Sequence, residues 1–303
     1  MPSTDTTARL DTGFAGAFAA LCVAAVSMGI SPIFVRFAAA DVGPFASAFW
    51  RVALALPVLY AWVRLDEAKT GGVRPSFSRA TVLAGVAFAG DLFFWHLSIL
   101  NTTVANATFF ATTAPIFVML LAWLVLRRSV SQTTIMGLVL CVLGGFSLIG
   151  QSLQVAPARI AGDLYGVATA MFFGVYFLAV ERAREGGSAA RVTFQLTLVT
   201  TAILFVIAVM FDDRVLPRTS EGVAALVAMA WISHAGGQGL LSIALGRLPA
   251  MFSSLVIFLE AIAAAAFGWI LLGEGLTIVQ VMGGALILLG IWTARPRDRS
   301  AGA

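Results

Sequence analysis

Charged residues are scarce in this chain. They make up 11% of its 303 residues, whereas a soluble domain has about 25%. Hydrophobic residues make up 60%, the mean hydropathy is +0.95, and no loop is long enough to hold a soluble catalytic domain. These absences exclude an ordinary soluble protein and predict an all-α integral membrane protein surrounded by a lipid bilayer.

Cysteine and histidine are also scarce, with two of each. Cys22 and Cys141 fall inside apolar stretches, which predicts free, packed thiols and no disulfide framework. Neither His96 nor His234 has a nearby cysteine or carboxylate motif, so we expect no metal site and no cofactor. The basic excess of +4 lies between apolar stretches and forms no basic face. This distribution argues against a nucleic-acid partner.

An internal repeat organises the apolar stretches. The segment Trp123–Gly137 resembles Trp269–Gly283, with an offset of 146 residues and no gap. Both segments join two apolar stretches through a short polar turn, which predicts a helical hairpin. The Arg127-Arg128 pair of the first turn is replaced by Gly273-Glu274 in the second. A shared apolar pattern with reversed turn charge favours two related halves that enter the membrane in opposite senses.

Ten apolar stretches are long enough to cross the hydrocarbon as helices. Five form a first repeat at 13–150 and five a second, inverted repeat at 162–294. The first stretch is longer than a signal-peptide core, so we expect it to be retained. The predicted spans are 13–36, 44–63, 80–99, 104–126, 132–150, 162–181, 192–211, 222–245, 249–271 and 277–294.

Basic residues are distributed unevenly between the two sets of connections. If both termini are cytoplasmic, 14 Lys and Arg residues fall inside and 4 outside, namely Arg36, Arg159, Arg214 and Arg218. This bias predicts a multi-pass protein of the cytoplasmic membrane with both chain ends in the cytoplasm. Stretches of small residues mediate contacts within and between chains alike, so the sequence does not decide whether the protein forms a homo-oligomer.

Three charged residues lie within the apolar stretches: Arg51, Asp91 and Glu260. An ionised side chain near the centre of a bilayer costs at least about 2.5–3.5 kcal/mol, so each of the three is expected to have a structural or functional role. We expect Arg51 to form a structural ion pair with one of the two acids. One arginine cannot neutralise both, so Asp91 and Glu260 are predicted to line a wet cavity that binds substrate.

Other polar and aromatic residues extend the predicted substrate site. His234 and Gln238 lie one helical turn apart among glycines, although a membrane histidine is more often a packing residue. In the sixth span, large rings lie beside the small residues Gly162, Gly166, Ala170 and Gly174, which predict close helix packing. The predicted substrate-binding residues are Asp91, Trp95, Asn106, Phe172, Phe173, Tyr176, His234, Gln238 and Glu260.

The chain resembles the drug/metabolite transporter superfamily, specifically the EamA family, from about residue 13 to 294. The matching features are the Pro44 to Arg51 spacing, Pro115 before the first hairpin turn, the Leu271–Glu274 sequence and the Gly283 to Gly290 spacing. Within that family it looks most similar to the YddG-type amino acid exporters. The resemblance implies two inverted repeats around a cavity lined by spans one, three, four, six, eight and nine.

The favoured function is therefore a carrier that exports amino acids, with aromatic or other bulky neutral ones preferred, by alternating access. The alternative within transport is efflux of other metabolites or of lipophilic cationic drugs, which a membrane-embedded glutamate would bind. An enzyme is not expected, because a charged catalytic cluster at the membrane surface is missing from the sequence. A scaffold without transport would leave the three intramembrane charges unexplained.

Overall fold

The computed structural model describes residues 4–39, 41–71, 77–149, 157–272 and 275–296. Within these ranges all regular secondary structure is helical, and nine helices have the length and composition to cross a membrane. A tenth helix is apolar but shorter, with 16 residues. The spans, numbered α1 to α10, are Gly13–Val35, Pro44–Thr70, Arg79–Asn101, Asn106–Leu124, Gln132–Ile149, Pro157–Arg184, Ala189–Phe211, Ser220–Leu245, Ala250–Leu271 and Ile278–Thr293.

Some helices are longer than the hydropathy predicts. The second was expected to end at 63, but α2 continues to Thr70 before Gly71 adopts a φ of 75° and donates its N–H to the Glu67 carbonyl at 3.1 Å. The extra turns are polar and form because their residues are good helix formers. Glycine ends the helix because it adopts the left-handed conformation without a steric penalty. Hydropathy thus located the membrane-crossing part and not the helix end.

Prolines interrupt three spans. The helix in α1 breaks at Ile30, two residues before Pro32, and α4 breaks at Thr113, two residues before Pro115. In α2 the break comes at 54–55, just before Pro57. Proline cannot donate a backbone hydrogen bond and its ring crowds the preceding turn, so each break is expected at this position.

Two further spans are interrupted without a proline. In α8 the segment Met229–Gln238 is a π-helix. In α9 the helix breaks at 257–258, between Ala250–Val256 and Leu259–Leu272. Adding the repeat offset of 146 to Pro115 gives Ala261, so the second half keeps the break although it lacks the proline. The packing around α9 therefore maintains an interruption that local sequence does not require.

The helix pairs follow an approximate two-fold symmetry that relates the halves. Packing of α3 on α6 has its counterpart in α8 on α1, and packing of α4 on α6 corresponds to α9 on α1. In two further pairs, α2 with α7 and α5 with α10, the symmetry exchanges the two helices of the same pair. This pattern confirms the predicted fold of two inverted five-helix repeats. The exact limits of the halves, 13–150 and 162–294, stay a prediction.

The α5–α10 pair shows the symmetry at the level of atoms. A Cβ on Gly137 would lie 2.6 Å from the Gly290 carbonyl oxygen, and a Cβ on Gly144 would lie 2.5 Å from that of Gly283. Because Gly137 is equivalent to Gly283, and Gly144 to Gly290, the two contacts exchange under the repeat. Cys141, a free thiol as predicted, faces the carbonyl of its own counterpart Ile287 at 3.6 Å. Glycines here let two backbones approach closely.

The small-residue stripe of α6 makes the close contacts that the sequence predicts. Gly162, Gly166, Ala170 and Gly174 are all buried. A Cβ on Gly162 would meet the backbone of Asn101 at 2.5 Å, and one on Gly174 would approach Phe117 to 2.9 Å. The stripe therefore seats α6 against α3 and α4 and fixes one wall of the bundle interior.

The two faces of the bundle differ in charge. One face, called here the arginine face, holds the described residues 70–71, 77–79, 124–132, 184–189 and 245–250. The other is called the aspartate face because it carries Asp41, Asp163, Asp212 and Asp213, and it holds the described residues 41–44, 101–106, 157–160, 211–220 and 275–278. The turn residues Gly273 and Glu274, which the sequence comparison singled out, lie outside the described residues.

Candidate functional site

A cavity lies inside the bundle, between the two halves. Seven helices line it: α1, α2, α3, α4, α6, α8 and α9. Six of these are the helices that the family resemblance implies, and α2 is an addition. Arg51 is the residue through which α2 reaches the cavity.

The interrupted helices line this cavity at their breaks. Ser31 begins the second segment of α1, Thr112 and Ala114 flank the break in α4, and Ile257 and Phe258 are the break in α9. Gln238, the last residue of the π-helix in α8, also lines it. Irregular backbone is tolerated at membrane depth where it borders a cavity, and such sites bind substrate in many carriers. The breaks thus mark the cavity independently of its charges.

All three intramembrane charges meet at the cavity wall. Arg51, Asp91 and Glu260 line it and lie within electrostatic range of one another. Among the residues that the structure describes, no hydrogen bond or contact ion pair joins the guanidinium to either carboxylate. The expected structural pair is therefore not formed. Each charge comes from a different helix, and the space between them is cavity.

Glu260 is placed where a helix end favours a carboxylate. It lies in the first turn of the Leu259–Leu272 segment, so the positive end of that helix dipole is close to its side chain. At 1.5 Å per residue it is about 18 Å from Leu272, near mid-membrane. Gly29 of α1 allows this placement, since a Cβ there would lie 2.9 Å from the Glu260 carbonyl oxygen.

Buried aromatic side chains separate the cavity from the arginine face. Tyr176 is fully buried and its hydroxyl donates to Gln238 Oε1 at 2.8 Å, which ties α6 to α8. Phe88 packs against Tyr176 with ring centroids 5.0 Å apart, and Phe177 is also fully buried. Because Phe88, Phe177 and Gln238 also line the cavity, this layer forms its floor.

Five of the nine residues predicted to bind substrate line the cavity. These are Asp91, Trp95, Phe173, Gln238 and Glu260. Tyr176 does not line the cavity itself, but it contacts three residues that do. Its hydroxyl bonds Gln238, and its ring packs against Phe88 at 5.0 Å and Phe173 at 5.7 Å. Their contact with substrate stays a prediction, but the fold brings residues from α3, α6, α8 and α9 to one place.

Two predicted residues, His234 and Phe172, lie away from the cavity wall and pack between helices, so their contact with substrate stays a prediction. His234 is fully buried, its Nε2 lies 3.0 Å from the Thr197 hydroxyl, and its ring stacks on Phe88 at 5.4 Å. The π-helix explains this position, because its extra residue per turn changes the spacing of His234 and Gln238 around α8. Phe172 fills the space beside Gly90 and stacks on Phe94 at 5.4 Å, which packs α6 against α3.

Asn106 is the third predicted residue that lies away from the cavity wall. Its amide donates to Asp163 Oδ1 at 2.9 Å, and the same oxygen accepts the Thr102 hydroxyl at 2.8 Å. The Thr103 hydroxyl accepts the Asn106 N–H at 3.1 Å and so caps the start of α4. Asn106 therefore joins the start of α4 to α6 at the aspartate face.

Sequence reasoning missed several hydroxyl residues of the cavity wall, namely Ser31, Thr108, Thr169 and Ser254. Single hydroxyls are common in membrane helices and carry little signal alone. Ser31 had one available signal, since it directly precedes Pro32 at the break in α1. Thr169 is the polar neighbour of Ala170 in the small-residue stripe, so it was hidden inside a packing motif.

A family comparison agrees with this architecture. The model of the EamA-like transporter family matches the chain at residues 15–150 and 160–294. These two segments cover nearly the whole bundle. The chain belongs to the EamA-like transporter family. The protein is therefore a multi-pass membrane transporter, and its cavity is the site to examine for substrate.

Individual relatives of this EamA-like transporter have low sequence identity to it but match two thirds of the chain or more. An uncharacterized transporter of Archaeoglobus fulgidus is 26% identical over 280 residues, which cover 91% of this chain and 95% of that protein. The threonine/homoserine exporter RhtA of Escherichia coli is 29% identical over 205 residues, covering 67% of this chain and 66% of RhtA. A solved crystal structure shares the fold, with a TM-score of 0.80, 18% identity and coverage of 93% of this chain and 98% of that one.

Proposed function

We propose that this EamA-like transporter exports amino acids from the cytoplasm by alternating access. The arginine face would lie in the cytoplasm, because its described connections and helix ends hold most of the basic residues, in line with the positive-inside rule. The chain ends would then both be cytoplasmic. These basic residues are Arg64, Lys69, Arg79, Arg127, Arg128, Arg182, Arg184, Arg191, Arg247 and Arg295.

The observation that carries this proposal is the separated set of charges in the cavity. An α-amino acid at neutral pH has one ammonium and one carboxylate on adjacent atoms. The cavity wall offers the complementary groups, a guanidinium at Arg51 and carboxylates at Asp91 and Glu260, which are not paired with each other. A zwitterion bound between them would compensate charges that are otherwise costly at this depth. The name of one relative, a threonine/homoserine exporter, supports the same substrate class.

Aromatic rings in the wall favour a bulky apolar side chain on the substrate. Phe88, Trp95, Phe173 and Phe258 line the cavity together with the charges. Ligand sites commonly combine an apolar wall with a few polar groups that fix orientation. On this basis the preferred substrate is an aromatic or other large neutral amino acid. The name of RhtA, a threonine/homoserine exporter, would instead suggest a small amino acid.

The symmetry of the fold supports alternating access. Inverted repeats let one bundle adopt two related conformations, each with the central site open to a different side. Here the Tyr176–Gln238 floor closes the cavity toward the arginine face. Exchange would require this hydrogen bond to open and an equivalent closure to form toward the aspartate face.

Efflux of lipophilic cations or of other metabolites is the second candidate. The cavity wall carries two acids and one arginine, so a cation could bind Glu260 or Asp91 without using the guanidinium. A resistance profile after overexpression separates the two functions. Protection from cationic drugs without amino acid transport would favour this second candidate.

Transport into proteoliposomes tests the main proposal. A panel of L-phenylalanine, L-leucine, L-threonine and L-homoserine is offered to wild type, to Glu260→Gln and to Gln238→Ala. We expect uptake of at least one amino acid by wild type, and a reduction of at least about tenfold in Glu260→Gln, which corresponds to about 1.4 kcal/mol. Glu185→Gln is the matched control, since Glu185 is exposed and pairs with Arg182 outside the cavity. Unchanged uptake in both cavity variants would contradict the assigned site.

A further inference from the structure

Several donors in the cavity wall have no acceptor. Arg51 is only 6% exposed, and its Nε has no hydrogen-bond partner. The hydroxyls of Ser31 and Thr169 are likewise buried and unpartnered, with residue exposures of 3% and 1%. Buried polar groups are nearly always hydrogen-bonded, and leaving one unpaired costs roughly 1–3 kcal/mol. Unpartnered buried polar atoms also occur away from the cavity, for example in Thr193 and Ser242, but Arg51 is the described cavity-wall residue that combines one with a positive charge.

Three other polar residues of the predicted substrate site have partners within the protein. Gln238 accepts the Tyr176 hydroxyl at its oxygen, and its nitrogen lies 3.3 Å from the Met28 sulfur. His234 is directed to Thr197, and Asn106 to Asp163. Arg51, for which the sequence predicted a structural ion pair, is the positively charged donor among the described residues that line the cavity.

A guanidinium binds a carboxylate with more specific geometry than a point charge such as an ammonium does. Arginine presents its N–H donors in a planar fork that can bind both oxygens of one carboxylate. At about 1.5 Å per residue Arg51 lies about 10 Å along α2 from Pro44, and Ser31 and Thr169 each lie about 12–14 Å along their helices from the same face. These three donors therefore occupy a similar depth in the membrane.

We propose that Arg51 binds the carboxylate of the transported amino acid, with Ser31 and Thr169 as further donors and Glu260 and Asp91 facing its ammonium. The assignment rests on the proposed function and narrows it to α-amino acids with a free carboxylate. It also replaces the structural ion pair that the sequence suggested for Arg51. An amide, which has the same shape but no negative charge, should be a poor substrate.

Competition between an amino acid and its amide tests the assignment. Uptake of labelled L-phenylalanine and L-threonine into proteoliposomes is measured against increasing L-phenylalaninamide and L-threoninamide. Wild type should prefer the acid to the amide by at least about tenfold. Arg51→Gln should raise the KM for the acid by at least about tenfold and abolish this preference, and Arg51→Lys should restore part of it. Arg64→Gln, a loss of the same charge on an exposed part of α2, should behave as wild type.

The outcomes separate the two claims. If wild type takes up the amino acids and a folded Arg51→Gln keeps both the KM and the preference for acid over amide, the carboxylate assignment is wrong while the proposed function stands. If wild type takes up none of the four amino acids of the panel, the proposed function and the assignment both fail. Should Arg51→Gln not give a monodisperse protein in detergent, Ser31→Ala and Thr169→Val decide. A preference unchanged in both of these would overturn the assignment.

Discussion

The acids of the cavity and the acids near the two faces have opposite surroundings. Near the arginine face, Glu181 accepts the Arg128 guanidinium at one oxygen and the Ala250 N–H, 2.8 Å away, at the other. In the cavity, Asp91 and Glu260 accept no hydrogen bond from any described residue. A carboxylate with partners holds helices together, whereas one without partners remains available to a ligand. The difference therefore separates acids that join helices from acids that line the cavity without a partner.

The aspartate face shows the partnered kind in a reciprocal arrangement. Asp41, after α1, accepts the N–H groups of Arg218 and Thr219 before α8, at 2.9 and 3.1 Å. Asp212, after α7, accepts the Ala46 N–H in the first turn of α2 at 2.5 Å. Each loop thus caps a helix of the other half, and the two halves are joined at this face. Gly43 and Gly222 leave room for the two carboxylates, which a Cβ would meet at 2.2 Å in both cases.

The sharpest test of the comparison removes a cavity acid. Asp91→Asn should reduce amino acid uptake by at least about tenfold and leave the thermal unfolding midpoint in detergent unchanged or raised. The reason is that a buried charge without a partner costs free energy in the folded state, so neutralising it does not destabilise the fold. Uptake and unfolding are measured on the same preparation. A clear fall in the midpoint would mean that Asp91 is a structural acid after all.

Removing a partnered acid should give the reverse pattern. Glu181→Ala leaves Arg128 and the Ala250 N–H without their acceptor, and the Glu181 side chain is only 14% exposed. We expect a loss of about 1–2 kcal/mol in stability, reduced from the fully buried case because Arg128 is 39% exposed. Glu185→Ala, which breaks the exposed pair with Arg182, should change stability by less than about 0.5 kcal/mol. Equal effects of the two substitutions on the unfolding midpoint would contradict the role of Glu181.

The smallest expected effect is on the pH dependence of stability, to which Asp41 and Asp212 should contribute with opposite signs. Backbone N–H groups, chiefly that of Thr219, hold the pKa of Asp41 below its ordinary value, so its stabilisation is complete above about pH 3.9 and is lost as the pH falls. Burial raises the pKa of Asp212 despite the hydrogen bond from Ala46, so its contribution is complete below about pH 3.9 and is lost as the pH rises through the raised pKa.

Unfolding midpoints between pH 3 and 7 measure both contributions. Asp41→Asn should flatten the loss of stability on the acid side of the profile, while Asp212→Asn should flatten the loss on the other side. Asparagine keeps an oxygen acceptor and removes the charge, so each comparison isolates the titration. Shifts of the same sign from the two substitutions would show that the loops do not differ as described.

Sequence reasoning identified the fold more completely than the site. Trp123–Gly137 and its repeat gave the inverted halves, and the prolines of α1, α2 and α4 gave their breaks, because both are local patterns. For the site, it singled out Asp91 and Glu260, since a charge in an apolar stretch is conspicuous, and both line the cavity. It also included His234, Phe172 and Asn106, which lie away from the cavity wall, and it gave Arg51 a pairing that is not formed.

The differences between the predicted site and the observed cavity wall have a common physical cause. In a soluble protein the polar side of a helix shows which side faces inward, but a membrane helix is apolar toward lipid and toward its neighbours alike. The direction in which His234, Phe172 or Ser31 points therefore has no periodic signal in the sequence. The π-helix of α8 adds to this, since an inserted residue rotates every side chain beyond it relative to an α-helical expectation.

The sequence by itself determined that the chain crosses the membrane, that its halves are related and inverted, and that three charges lie at membrane depth. Hydropathy, repetition and charge are properties of a linear string, and they need no knowledge of contacts. Only the tertiary structure decided that Arg51, Asp91 and Glu260 share one cavity without pairing, and that α9 breaks where Ala261 replaces a proline. Those features depend on how seven helices pack around a common space, which no single helix specifies.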